Sequence, residues 1–235
     1  MMKKILYSLS LCLAFVFISC EEDTTQDTSK VTHYVNFEMK GEQTVLVSVG
    51  TPYVDEGVVA IEGENDITSS VITAGSVDSS TIGLYYINYK AQNADGYSSS
   101  IERTIIVYDP DVTTNLAGTY TTAEGSYRYW LATDVKVLFS GYKIDVSLIA
   151  PGIFYISDYM GGYYDQRVGY GSAYAMKGYF KLNVDNTLDA LSGDVAGWGD
   201  SFDSFENGEY DPASGSLYWE LGYGGSMVFY ITLNK

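Results

Sequence analysis

Gly83-Leu84-Tyr85-Tyr86-Ile87-Asn88-Tyr89-Lys90-Ala91, then Asn93-Ala94-Asp95-Gly96-Tyr97, then Arg103-Thr104-Ile105-Ile106-Val107-Tyr108-Asp109 is the stretch that decides the fold class. Tyr85, Ile87, Tyr89 and Ala91 fall two residues apart, so in an extended chain they share one face. Asn93 to Gly96 is a turn, because Gly accepts positive φ at a hairpin tip and Asn and Asp bond their own backbone there. The chain returns through Arg103, Ile105 and Val107, again two apart. The unit is a β-hairpin.

The same period continues on either side. Val45, Val47 and Val49 alternate with Thr44, Leu46 and Ser48, and no stretch after residue 30 sustains a period of 3.6. Short strands separated by Gly, Asn and Asp turns predict a β-sandwich over residues 31–109. Asp109-Pro110-Asp111 ends the pattern, since proline has no N–H for a strand ladder.

Residues 113–235 are long enough for a core of their own. They open on Leu116-Ala117-Gly118-Thr119-Tyr120 and close on Asp211-Pro212-Ala213-Ser214-Gly215, a tight hairpin signal. After it, Leu217, Trp219 and Leu221 alternate with Tyr218 and Glu220, then Met227, Phe229, Ile231 and Leu233 with Val228, Tyr230 and Thr232. Such alternation puts one face in a core and the other toward solvent or a partner. The expected architecture is all-β: a sandwich followed by a second antiparallel barrel or sandwich. Trp219 is placed in the core.

The order Gly57-Val58-Val59-Ala60, Asp66-Ile67-Thr68, then the 83–109 hairpin resembles the bacterial Ig-like domains of surface proteins; Tyr97 stands where such domains more often carry Asn. The Gly-Thr-Tyr opening and closing hairpin resemble the C-terminal β-barrel-like domains of Bacteroidetes lipoproteins encoded beside starch-utilisation-type glycan-uptake systems. The pairing is similar to a family of such lipoproteins with no established function. These motifs are structural, so the resemblance carries over no catalytic or binding residue.

Met1-Met2-Lys3-Lys4 is a basic head, and Ile5 to Ile18 is an apolar run too short to span a bilayer. Residues 1–19 therefore read as a signal peptide. Phe17-Ile18-Ser19-Cys20 resembles the lipobox of bacterial lipoproteins, with Cys20 acylated as the first mature residue. Two or more acyl chains anchor durably. Glu21-Glu22-Asp23 resembles the surface-export signal of Bacteroidetes lipoproteins, or is a solvated start to a linker. Residues 20–30 read as a polar tether. The resemblance implies an outer-membrane lipoprotein facing outward. Cys12 leaves with the signal, so a disulfide is not expected.

Charge and composition exclude several functions. Thirteen Lys and Arg against 30 Asp and Glu give a net charge of −17, and removing Lys3 and Lys4 leaves −19. That rules out nucleic acid as a partner and docking on anionic lipid by charge alone. The single histidine, His33, lies near the tether and cannot form a histidine metal cluster or, alone, a catalytic triad. Gly169-Tyr170-Gly171 and Gly197-Trp198-Gly199 read as turns rather than phosphate cradles.

No cofactor is expected. Calcium needs only oxygens, and Asp194, Asp200, Asp203 and Glu206 cluster around Gly197-Trp198-Gly199, while Asp185, Asn186 and Asp189 form a second group; neither has EF-hand spacing, and both read first as solvated turns, with a structural calcium as the alternative.

The aromatic content is the strongest signal for function. Residues 113–235 hold 15 of the 23 Tyr. Tyrosine suits a half-buried strand, and most of the 15 are expected there. Its flat ring also stacks on the apolar face of a sugar while Asp, Asn and Arg bond the hydroxyls. Trp198, between two glycines, is expected in an exposed loop. In Tyr159-Met160-Gly161-Gly162-Tyr163-Tyr164-Asp165-Gln166-Arg167 no alternation demands the aromatics, so Tyr159, Tyr163, Tyr164, Asp165 and Arg167 are candidate ligand contacts. Trp130, after Tyr127-Arg128-Tyr129, is a third candidate.

Two readings follow. One is a non-catalytic binder of an oligo- or polysaccharide, with the first domain as a spacer. The other is an accessory lipoprotein that packs against another envelope protein through exposed Tyr and Trp. A glycosidase would need two carboxylates ~5–10 Å apart in a cleft.

Overall fold

A computed structural model describes residues 31–235. The signal peptide, Cys20 and the tether lie outside the described residues. The chain is almost entirely strand. β1 (Val35–Met39), β3 (Val58–Glu62) and β4 (Asn65–Asp66) make one small antiparallel sheet. β2 (Thr44–Ser48), β7 (Ser98–Tyr108), β6 (Gly83–Gln92) and β5 (Ile72–Ala74) make the other, in that order, with β2 parallel to β7.

The β6–β7 hairpin pairs Tyr85 with Ile105, Tyr89 with Ile101 and Gln92 with Ser98. Its turn is closed by Asn93, whose side-chain oxygen accepts from the Tyr97 N–H at 2.7 Å. Gly96 sits at φ +89°. Val47, Val58, Ile87, Tyr89, Ile105 and Val107 form the core between the two sheets.

One inward position is not apolar. Arg103 alternates with Ile105 and is 1% exposed. Its guanidinium pairs with the Asp55 carboxylate and donates to the Lys40 and Gly57 carbonyls. Tyr89 and Tyr53 donate their hydroxyls to the same carboxylate, and the Gly57 N–H adds a third bond at 3.0 Å. A buried charge is tolerated only when paired and hydrogen-bonded, and this one is both.

The second unit comprises β8 (Gly118–Thr122), β9 (Tyr127–Trp130), β10 (Val135–Leu138), β11 (Lys143–Ala150), β12 (Ile153–Ile156), β13 (Gly178–Leu182) and β14 (Leu188–Ala190). It continues with β15 (Asp194–Val195), β16 (Asp200–Ser201), β17 (Ser204–Asp211), β18 (Ser216–Tyr223) and β19 (Met227–Asn234). Ten of these strands share one curled antiparallel sheet in the order β10-β9-β19-β8-β11-β12-β13-β14, with β17 and β18 branching from β19. β14 and β17 meet at a bridge between Thr187 and Glu209, and the Tyr210 N–H donates to the Asn186 carbonyl at 2.9 Å. The sheet is thus barrel-like, consistent with the all-β expectation.

Inside lie Trp219, Phe154, Phe229, Ile144 and Leu221. The Trp219 indole N–H donates to the Tyr159 carbonyl at 2.9 Å, which satisfies its one polar atom in the core. At the β17–β18 turn, Asp211 accepts from the Ala213 N–H and the Ser214 hydroxyl, and Gly215 takes φ +74°. The two units also share apolar surface. Ile106 points away from its own sandwich and is buried with Ala150 and Ile153.

Candidate functional site

The segment between β12 and β13 and the turn between β15 and β16 together make the site. Asp158 is fully buried and its carboxylate accepts from the backbone N–H groups of Met160, Gly162 and Met176 at 2.9, 3.0 and 3.0 Å. Burial pushes this carboxyl up to about 7, and the three N–H donors pull the other way. The backbone then reverses through Gly161 and Gly162, at φ +64° and +81°. A single wide helical turn over Tyr163–Arg167 follows, and a 3-10 turn over Ser172–Tyr174 completes the excursion.

The outcome divides the candidate residues. Tyr159 and Tyr163 were expected at a ligand surface, and the structure corrects this: both are buried. Tyr159 lays its ring against Trp219, Phe205 and Phe202 with centroids 5.9, 5.7 and 6.3 Å away. Its hydroxyl donates to the Tyr179 carbonyl at 2.8 Å. Tyr163 packs on Phe139 and Phe229. The guanidinium of Arg167 covers Tyr163 at 5.0 Å and that of Arg128 at 4.8 Å, so Arg167 acts as a lid on the core. Asp165 is half-buried in the first turn of that helical segment. These aromatics fill the mouth of the barrel, a demand that strand alternation cannot reveal.

Trp198 is 41% exposed, in the turn between β15 and β16. Its ring centroid lies 4.8 Å from Tyr164, 4.9 Å from Tyr174, 6.2 Å from Tyr170 and 6.1 Å from Tyr223. The Tyr164, Tyr170 and Tyr174 rings meet the indole edge-on or nearly so, the preferred geometry for such pairs. Tyr164 donates its hydroxyl to the Met227 sulfur at 3.4 Å, and Tyr223 donates to Asp200 at 3.0 Å. The indole is therefore held by neighbours that are themselves held. Tyr170, Tyr174 and Trp198 line an open cleft of about 460 Å³.

Tyr170, Tyr174 and Tyr223 were not singled out in the sequence. Gly169-Tyr170-Gly171 marked a turn, but nothing in it indicated that this turn meets Trp198. Trp130 is 37% exposed on β9, with the Arg128 guanidinium 5.1 Å from its ring. It pairs with Met227 across the sheet, so it flanks the Trp198 cluster rather than joining it.

The acidic turns that offer oxygens to a calcium ion have their carboxylates engaged locally or exposed. Asp200 is engaged by Tyr223, Asp203 accepts from the Gly225 N–H at 2.6 Å, and Asp194 is exposed. In the second group, Asp185 accepts from Thr187, and Asp189 pairs with Lys181 at 3.2 Å. Among the described residues no group of three or more His, Cys, Asp or Glu side chains converges. These carboxylates tie turns locally, which leaves them apart from one another.

Comparison with known proteins supplies the family. Residues 37–107 match the bacterial surface protein Ig-like domain, and residues 109–235 match a family model of a C-terminal domain. The crystal structure of the lipoprotein BT2262 from Bacteroides thetaiotaomicron is 45% identical, covering 86% of this chain and 100% of that one, at a TM-score of 0.49. A structure of CBM51-2 in complex with GlcNAc and INT domains, from Clostridium perfringens ZmpB, is 21% identical over 52% of this chain and 29% of that one. Its TM-score of 0.27 carries no argument. A structural-genomics protein of unknown function from Bacteroides ovatus is 11% identical over 76% of this chain and 66% of that one, with a TM-score of 0.29. No curated protein matches the chain. None of the matched families is a catalytic one. By sequence identity over nearly its whole length, the chain belongs to the family of the Bacteroides lipoprotein BT2262, with a bacterial-surface Ig-like domain followed by a barrel-like C-terminal domain.

Proposed function

We propose that the protein is a surface-exposed outer-membrane lipoprotein, acylated at Cys20, whose barrel-like domain binds glycan without cleaving it. The observation that carries this reading is the Trp198 platform. Trp198 and Tyr170 are exposed side by side with Tyr174 on one cleft, a contiguous aromatic patch of the kind that marks a binding surface, and four tyrosines fix the indole's orientation. A fixed aromatic face at an open cleft suits the flat apolar side of a pyranose, and little entropy is lost in ordering it further. The family relationship to a lipoprotein supports the anchor at Cys20. The Ig-like domain then serves as a spacer.

The test is a glycan array probed with the chain from residue 21 onward, beside Trp198→Ala. Binding to one glycan class that Trp198→Ala abolishes supports the reading. A folded protein that binds no glycan overturns it.

One feature favours docking on another envelope protein instead. Trp130, Leu131, Val135 and Leu138 are all exposed on or beside the β9–β10 hairpin, and β10 is the edge of its sheet. Exposed edges with apolar side chains invite a partner strand. Cross-linking in intact outer membranes that Leu138→Glu abolishes would support this second reading.

A further inference from the structure

The Trp198 cleft has a neighbour. On the other side of the seam where the Gly197 N–H donates to the Ala173 carbonyl at 2.7 Å lies a second hollow of about 370 Å³. Ala173 and Ala196 are on its near side, and Tyr155, Tyr179, Lys177 and Asp194 line the rest. The Tyr155 and Tyr179 rings meet edge-on at 5.2 Å, and both are half-buried. Among the described residues Lys177 and Asp194 make no ion pair. Their hydrogen-bonding groups are left for something else.

The seam between the hollows is low. Ala173 is exposed and carries only a methyl, and Gly197 carries nothing. A Cβ at Gly197 would sit 2.7 Å from the Tyr174 ring, so glycine is what lets the two turns close. Each hollow has a volume within the roughly 300–1,000 Å³ of small-molecule sites. Both open to solvent, and the Tyr174 ring, packed on Gly197, stands at the seam on the Trp198 side.

We propose that the two hollows are consecutive subsites of one groove, and that the ligand is an internal stretch of a neutral, linear oligosaccharide lying across the Ala173–Gly197 seam. This rests on the glycan-binding reading and adds the class of glycan. Trp198, Tyr170 and Tyr174 take one sugar face, while Tyr155, Lys177, Tyr179 and Asp194 take the next part of the chain with stacking and hydroxyl bonds. The ligand is neutral because the chain carries a net charge of −17 and repels polyanions, and because Lys177 faces Asp194 within the hollow. It is a chain rather than a single terminal sugar because the two hollows flank one seam, Ala173–Gly197, whose own side chains are no larger than a methyl.

The experiment is calorimetric titration of the chain from residue 21 onward with α-1,4-glucose, β-1,4-glucose, β-1,4-mannose and β-1,4-xylose oligomers of increasing length. A galacturonate oligomer serves as the anionic probe. Affinity for one neutral series is expected to rise at least tenfold between the dimer and about the tetramer. Ala173→Arg, at an exposed position, is expected to keep dimer binding and flatten that rise, and Lys177→Ala to weaken only the longer oligomers. Length-independent affinity, a rise untouched by both variants, or preference for galacturonate would each overturn the proposal. Failure of every oligomer to bind a normally folded protein would remove the glycan-binding reading itself, and this inference with it.

Discussion

The Trp198 indole stands at 89° to the Tyr164 ring with 4.8 Å between centroids, and the Tyr164 hydroxyl is in turn tied to Met227. Exposure and rigidity are thus combined at one side chain. Edge-on aromatic pairs contribute about 0.5–1.5 kcal/mol beyond burial.

Tyr164→Leu should therefore lower stability by about 1 kcal/mol while releasing the indole. Glycan affinity should fall about tenfold even though Trp198 itself remains, in line with a lost preorganisation of about 1.4 kcal/mol. Calorimetry and Trp fluorescence anisotropy together check this. Unchanged affinity with a mobile indole would mean that the platform's rigidity is irrelevant.

Removing Asp55 strands the buried Arg103 charge, so Asp55→Ala should cost about 3–5 kcal/mol, and Arg103→Leu, which leaves a partly exposed carboxylate still bonded by Tyr53, Tyr89 and the Gly57 N–H, should cost less. Burial raises the Asp55 carboxyl, but the hydroxyls of Tyr89 and Tyr53 and the charge of Arg103 outweigh it and hold the group below its ordinary value. A depressed folded value means that this stabilisation is present above the ordinary carboxylate range and is lost as pH falls through the lower folded value. Urea melts below pH 4 should show the loss in the wild type and not in a doubly substituted Asp55→Leu/Arg103→Leu protein.

Asp158 works in the opposite sense. Its carboxyl is raised to about 7, so its contribution is full below the ordinary carboxylate value, declines as pH climbs, and is gone above about 7. The slope is about −1.4 kcal/mol per pH unit at most within that window. Asp158→Asn should be less stable, because its amide N–H₂ opposes the Gly162 N–H, and should lack the slope. Urea midpoints between about pH 4.5 and 8 decide, and a slope that persists in Asp158→Asn would assign it elsewhere.

Two glycines of the same loop should respond differently to alanine. At Gly162, φ is +81° and a Cβ would lie 2.5 Å from the Tyr142 Cβ. Strain and overpacking together make Gly162→Ala cost about 3 kcal/mol. At Gly169, φ is +82° with nothing within 4 Å, so Gly169→Ala should cost only about 1 kcal/mol. Thermal melts of the pair measure the difference, and equal losses would mean that the Tyr142 contact relaxes freely.

Strand alternation was a reliable guide wherever one face is buried and the other wet. Tyr85, Ile87, Tyr89 and Ala91 line up as expected, and so do Leu217, Trp219 and Leu221. It was blind to Ile106, which points away from the sandwich core yet is buried because the second domain covers it. It placed Arg103 inward without naming Asp55, which sits in a loop about fifty residues away.

The sequence by itself determined what local chemistry can encode: an all-β chain, the proline-marked break after Tyr108, the hairpin at Asp211–Gly215 and the exposure of a tryptophan between two glycines. Only the tertiary structure decided which aromatics serve the core and which face solvent. Tyr159, Tyr163 and Tyr164 are near neighbours in one loop, yet the first two plug the barrel and the third supports Trp198. The reason is physical. Alternation is a property of the backbone and is written into adjacent residues. A loop aromatic's fate depends on the cavity that distant strands leave for it, and on turns such as Ser172–Tyr174 and Ala196–Gly199 that meet only after the sheet has curled.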